Sequence, residues 1–212
     1  GGILLGKHNL FQSAKADSAT FSKSQVSRRI QNLKNQRMFD PLDAEYPYVA
    51  ANYCLTLEEY DRAINFFAQA VRLAPLNGKY AQALGLALAQ QGEDEKAEKL
   101  LRAGLKNDPF AADTHKEFAL WLFSKKKTEQ GLSQISHALS LSPEKTPIYL
   151  AIMNLYGVSE KQMRRVLPDN ALSYAAFGNY LLAKGRDKPA EEMFRQAMQY
   201  AEKEVPDEDL FW

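Results

Sequence analysis

Three histidines, one cysteine and a few paired acids are the side chains of this 212-residue chain that could carry acid-base, nucleophilic or metal chemistry. The histidines, His8, His115 and His137, are scattered. Asp113, His115 and Glu117 alternate at i, i+2 and i+4, which on a helix places the histidine off the face shared by the two acids. That is poor ligand geometry for a metal. No two cysteines stand at zinc spacing, and no phosphate-cradling glycine loop follows a strand, because no strand pattern is evident. Glu58-Glu59 and Glu191-Glu192 fall at helix starts, where the helix dipole accounts for negative charge. The one cysteine, Cys54, lies on an apolar helical face and reads as a structural thiol. These residues predict no active site, no cofactor and no metal.

The elements that would have to position any chemistry show a fixed period. Pro41, Pro75, Pro109 and Pro143 are evenly spaced, and the residues between them repeat one small-and-apolar pattern. A period of about 34 residues is that of one helix-turn-helix unit copied along a chain. From Gly78, a first helix carries Ala81, Leu84, Gly85 and Leu88 at i, i+3, i+4 and further turns of one stripe. Gly92 breaks it. A second helix opens on Glu93, Asp94 and Glu95, shows Ala97, Leu101, Gly104 and Leu105 on its inner face, and ends at Asp108-Pro109. Shifting by one proline interval recovers Ala51, Cys54, Ala63 and Phe67 on one side and Ala119, Leu122, Gly131 and Ile135 on the other. A helix pair of this length cannot bury its own apolar face, so stacking on neighbours supplies the core. Gly85, Gly104 and Gly131 are assigned to close helix crossings, where a methyl group would overpack.

This pattern resembles the tetratricopeptide repeat, over nearly the whole chain. The resemblance implies an all-α fold, a right-handed superhelix (α-solenoid) of helix-turn-helix units forming one domain over residues 1–212. The units read as a degenerate or capping repeat at 10–43, regular repeats at 44–77, 78–111 and 112–145, a shortened repeat at 146–170, a regular repeat at 171–204 and an acidic tail at 205–212. The interval from Pro143 to Pro168 is shorter than those before it, so the second helix of the fourth unit is cut to about Ser159–Val166. Met163, Val166 and Leu167 are expected to be buried in compensation, with the fifth unit docked at an altered angle.

The same resemblance implies that the first helix of each unit lines a concave face, with ligand contacts at its second, fifth, ninth and twelfth positions. Those positions hold Tyr48, Asn52 and Leu55, then Lys79, Gln82, Leu86 and Ala89, then Lys116, Leu120 and Phe123, then Leu150 and Asn154, and finally Asn179 and Leu182. Asparagines there could bind the backbone of an extended peptide while apolar residues hold its side chains. The lysine and asparagine set by which some family members grip a chaperone's C-terminal carboxylate is not matched.

Composition narrows the partner. A net charge of +1 argues against a dedicated nucleic-acid binder. Residues 1–40 nevertheless hold seven Lys or Arg against two acids, either a solvated helix surface or a segment near anionic lipid. Lys125, Lys126 and Lys127 fall at a turn and face solvent. The wording of Asp40–Pro47, Leu100–Leu105 and Leu167-Pro168-Asp169 is similar to the soluble C-terminal tail of bacterial O-antigen polymerase or ligase-like membrane proteins. That similarity implies a bacterial docking tail, tethered to the inner membrane by a part preceding Gly1, with any glycan polymerase or ligase activity in that part. The start at Gly1-Gly2 is what an excised fragment would show. The alternative is a free-standing adaptor or co-chaperone with no membrane part.

Overall fold

A computed structural model describes residues 23–36 and 40–204. Of the basic segment at 1–40, residues 1–22 and 37–39 lie outside them, as does the acidic tail at 205–212. The described residues form α-helices and one 3-10 turn, joined by short connections, and the chain divides at Pro109/Phe110 into two compact units. Among the described residues no helix is long and apolar enough to cross a membrane, and no cluster of three or more His, Cys, Asp or Glu could hold a metal ion.

The first unit contains α1 (Lys23–Gln36), α2 (Glu45–Thr56), α3 (Tyr60–Leu73), α4 (Gly78–Gln90) and α5 (Asp94–Asn107). α2 pairs with α3 and α4 with α5, and α3 packs on α4 to join the pairs. Val26 and Ile30, one turn apart on α1, close the N-terminal side of a core that holds Ala51, Cys54, Phe67 and Leu84. Cys54 is a fully buried thiol, as its place on the stripe requires. Acidic Asp94 and Glu95 open α5, and Asn77 caps α4 by accepting from the Tyr80 amide. The crossing of α4 and α5 is close because glycine allows it. A Cβ on Gly85 would stand 3.1 Å from the Ala97 carbonyl oxygen, and one on Gly104 would stand 2.9 Å from that of Gly78 and collide with Gln82.

The second unit contains α6 (Ala112–Ser124), α7 (Thr128–Leu141), a 3-10 turn at Pro143–Lys145, α8 (Thr146–Leu155), α9 (Glu160–Arg165), α10 (Ala171–Ala183) and α11 (Asp187–Glu204). α6 pairs with α7 and α10 with α11. The shortened helix is α9. Ser159 and Gln162 form a reciprocal capping box at its start, and Val166-Leu167-Pro168 ends it, since proline disfavours helical backbone at the preceding residue. Met163, Val166 and Leu167 are buried, as the sequence predicts for a unit that must cover its neighbours with fewer turns.

With so little second helix available, α8 packs directly on α10. A buried hydroxyl pair fixes the contact: Thr146 Oγ1 lies 3.0 Å from Ser173 Oγ, while the Thr146 hydroxyl also donates to the Pro143 carbonyl. Each helix pair turns through a left-handed backbone position. Gly92, Gly157 and Gly185 fill it with φ of 85°, 72° and 70°, whereas Glu58 and Lys126 adopt φ of 61° and 58° without glycine's freedom.

Candidate functional site: the groove between α8 and α10

α8 and α10 leave a groove of about 670 Å³ in the second unit. The helices present equivalent positions to it, offset by the same interval that separates Pro143 from Pro168: Pro147 with Leu172, Leu150 with Ala175, Ala151 with Ala176, and Asn154 with Asn179. Small residues on both walls keep the groove open, and Leu172 is 58% exposed at its edge. Glu144 stands near the N-terminal end of α8, and hydrogen-bonding side chains stand at the other end of the groove. The Asn154 amide oxygen accepts from the Tyr180 hydroxyl at 2.9 Å and the Lys184 ammonium at 3.0 Å. Those two bonds fix the amide plane and leave its nitrogen as a donor. Burial, aided by the negative charge of Glu160, holds the Tyr180 hydroxyl above the ordinary phenol range, so it acts as a neutral donor.

Of the groove residues read from the sequence, this groove brings together Leu150, Asn154 and Asn179. The others lie elsewhere. In the first unit Tyr48 is half-buried, its ring 4.9 Å from that of Tyr80 and 5.7 Å from that of Phe67. Asn52 donates to the Tyr48 carbonyl of its own helix. Leu55 and Leu86 are buried. Gln82 is buried too, its amide 3.4 Å from the Leu101 carbonyl in the space that glycine leaves at position 104.

In the second unit Leu120 and Phe123 are buried rather than open. The Phe123 ring fills the space over Gly131 and stacks on Tyr156 at 5.3 Å. Replacing either residue with a polar one therefore removes packing instead of emptying a ligand surface.

Lys116 is held within its own helix, 3.2 Å from both Asp113 and Glu117, with Asp113 also 3.6 Å from Lys145. Burial pulls the Lys116 pKa down, and the two carboxylates outweigh it, so the ammonium stays charged. Burial alone would raise Asp113, but Lys116 and Lys145 hold it below the usual carboxylate range. Glu117 is pushed up by its burial, only partly offset by Lys116. Nearby, burial and the charge of Asp113 push the Tyr149 hydroxyl up to about 12.

The sequence reading missed Pro147, Ala151, Leu172, Ala175, Ala176 and Tyr180. The signal that could have found them is the shortened period itself. Moving along the chain by the Pro143-to-Pro168 interval, instead of the longer regular one, superposes the two walls. Also missed was the pairing of His115 with His137, whose rings stack at 5.3 Å and 5°.

Residues 44–75 match the sequence profile of the tetratricopeptide repeat. Solved structures similar to the chain share its fold at low identity. The crystal structure of MamA superposes with a TM-score of 0.51 at 18% identity, covering 85% of this chain and 91% of that one. Yeast Tom70 gives 0.57 at 14% identity, covering 93% and 43%. The Cut9–Hcn1 hetero-tetramer of the APC/C gives 0.52 at 16% identity, covering 86% and 38%. Comparison with curated protein sequences gives no match. The class defined by helix pairing, crossing glycines and these likenesses is an all-α stack of tetratricopeptide-type helix-turn-helix units.

Proposed function

We propose that this chain is a protein-interaction scaffold whose α8–α10 groove holds an extended, largely apolar segment of a partner protein. The observation that carries this reading is the groove itself, about 670 Å³ of mostly apolar wall with asparagine amides at one end. In an extended segment, alternate side chains point to opposite faces. One set would enter between Leu150 and Leu172, while Asn154 and Asn179 meet backbone carbonyl and amide groups that would otherwise lose hydrogen bonds on leaving water.

The test is selection of linear peptides against the chain from a random library, followed by affinity measurement on Leu172→Glu and Asn154→Ala. Both positions are exposed. Each change is expected to weaken selected peptides at least about fivefold, as loss of an interfacial contact worth roughly 1 kcal/mol or more would do, with an unchanged melting temperature. Peptides that bind both variants as well as the original chain would remove the groove from the function.

We further propose that the scaffold serves as the docking tail of a bacterial inner-membrane protein of polysaccharide assembly. The support is the similarity of Asp40–Pro47, Leu100–Leu105 and Leu167-Pro168-Asp169 to such tails, together with the basic residues before position 40. Translating the gene upstream of Gly1 tests it. Several stretches of about 20 apolar residues are expected there. Their absence leaves the free-standing adaptor or co-chaperone.

A further inference from the structure

A second depression lies on the opposite face of α10. At 3.6 residues per turn Phe177 and Leu181 point away from Leu172, Ala175 and Asn179. With Met193 of α11 they floor a notch of about 250 Å³, walled by Pro189 and Glu192 of α11 and by Glu160, Lys161 and Arg164 of α9. The floor side chains are buried in the core with Met163, and the short helix flanks the notch with long cationic side chains. An apolar cavity of about 150 Å³ admits benzene, so this volume takes a leucine or phenylalanine side chain.

Two acids and two bases line the rim, and the acids already have partners. Glu160 is engaged by Arg186 at 3.3 Å, and Glu192 by Arg195 at 2.5 Å and Gln196 at 2.9 Å. Among the described ion pairs Lys161 and Arg164 have no carboxylate, and the Arg164 guanidinium donates to the neutral Gln196 amide at 3.4 Å. Lys161 and Arg164 also line a neighbouring depression with Arg165 and Asp169. There Asp169 accepts from the Tyr200 hydroxyl at 2.9 Å and Arg165 pairs with Glu129, so the net offer to a ligand is positive.

We infer that this notch is a second docking site, for a partner segment in which a large apolar residue is flanked by acidic ones. The apolar side chain enters over Phe177, Leu181 and Met193, and the acids lie along Lys161 and Arg164. The site does not depend on the α8–α10 groove.

A blocked, fluorescent Asp-Glu-Asp-Leu-Phe peptide titrated into the full chain tests the inference, with methyl NMR of Leu181 and Met193 to locate it. Saturable binding is expected, with shifts at both methyl groups and none at Leu172, and with Leu172→Glu leaving the affinity unchanged. Lys161→Glu with Arg164→Glu, both exposed, should weaken binding at least about tenfold at unchanged melting temperature, because reversing two rim charges sets like charges against the peptide. A Ser-Ser peptide end in place of Leu-Phe should not bind.

No binding, binding indifferent to the charge reversal, or shifts at Leu172 instead of Met193 would each overturn the proposal. So would a doubled sedimenting mass, which assigns the notch to a second copy. Binding that emerges only when residues 205–212 are deleted would assign it to the chain's own Asp207–Trp212 sequence.

Discussion

Between Glu45 and Asn107, two helix pairs of 12 to 14 residues per helix join through the second helix of one pair packing on the first helix of the next. Between Thr146 and Ala183 the second helix has six residues, and the first helix of one unit packs on the first helix of the next instead. Both arrangements bury a continuous core. They differ in what remains exposed along the first helices. In the regular stretch Leu55, Gln82 and Leu86 are drawn into packing, whereas in the clipped one α8 and α10 face each other across small residues and leave an open groove. Shortening one helix by more than half is therefore a way to open a groove without adding any side chain designed for it.

The largest test of this contrast is Met163→Ala. If the short helix is a true core element, the loss should be about 2 to 5 kcal/mol in urea unfolding, comparable with Leu101→Ala in the regular stretch, since both are fully buried. A loss below about 1 kcal/mol would make α9 an ornament, because deep truncations in a real core exceed that.

Next is Gly104→Ala, expected to destabilise by about 1 to 3 kcal/mol, because the new methyl meets the Gly78 carbonyl and Gln82. Gly131→Ala should cost less, since the atoms it meets belong to the Phe123 ring, 2.5 Å away and able to turn. Thermal melts of the two variants measure the order, and the reverse order would mean that the α6–α7 crossing is the less yielding one.

Ser159→Ala removes the capping box of a helix too short to hold itself, at about 1 kcal/mol. Hydrogen exchange at the Met163 amide, which donates to the Ser159 carbonyl at 2.9 Å, should accelerate while the amides of α5 keep their protection. Acceleration throughout the chain would show that the short helix opens only with the rest of its surroundings.

The smallest expected effect is a gain. Lys126→Gly relieves a left-handed backbone and should stabilise by about 1 kcal/mol, and Gly157→Ala at the corresponding turn of the clipped unit should lose a similar amount. If the two changes act with the same sign, the turns are not equivalent, and chemical denaturation will show it.

The helix pairs, their crossings and the shortened unit were legible because each rests on local spacing: glycine or alanine at fixed offsets, prolines at even intervals from Pro41 to Pro143, and a shorter interval from there to Pro168. The burial of Met163 followed from the same count. The open site was not legible, because position within a helix says which way a side chain points and not what arrives to cover it. Gly131 admits the Phe123 ring, Gly104 admits Gln82, and Asp113 with Glu117 holds Lys116.

By itself the sequence determined that this chain forms stacked helix pairs, since apolar periodicity and turn residues act over a few neighbouring positions. Only the tertiary structure decided which of the first-helix positions stay exposed and that α8 meets α10 face to face. Those outcomes depend on side chains from different helices competing for the same space, and close packing lets one arrangement win.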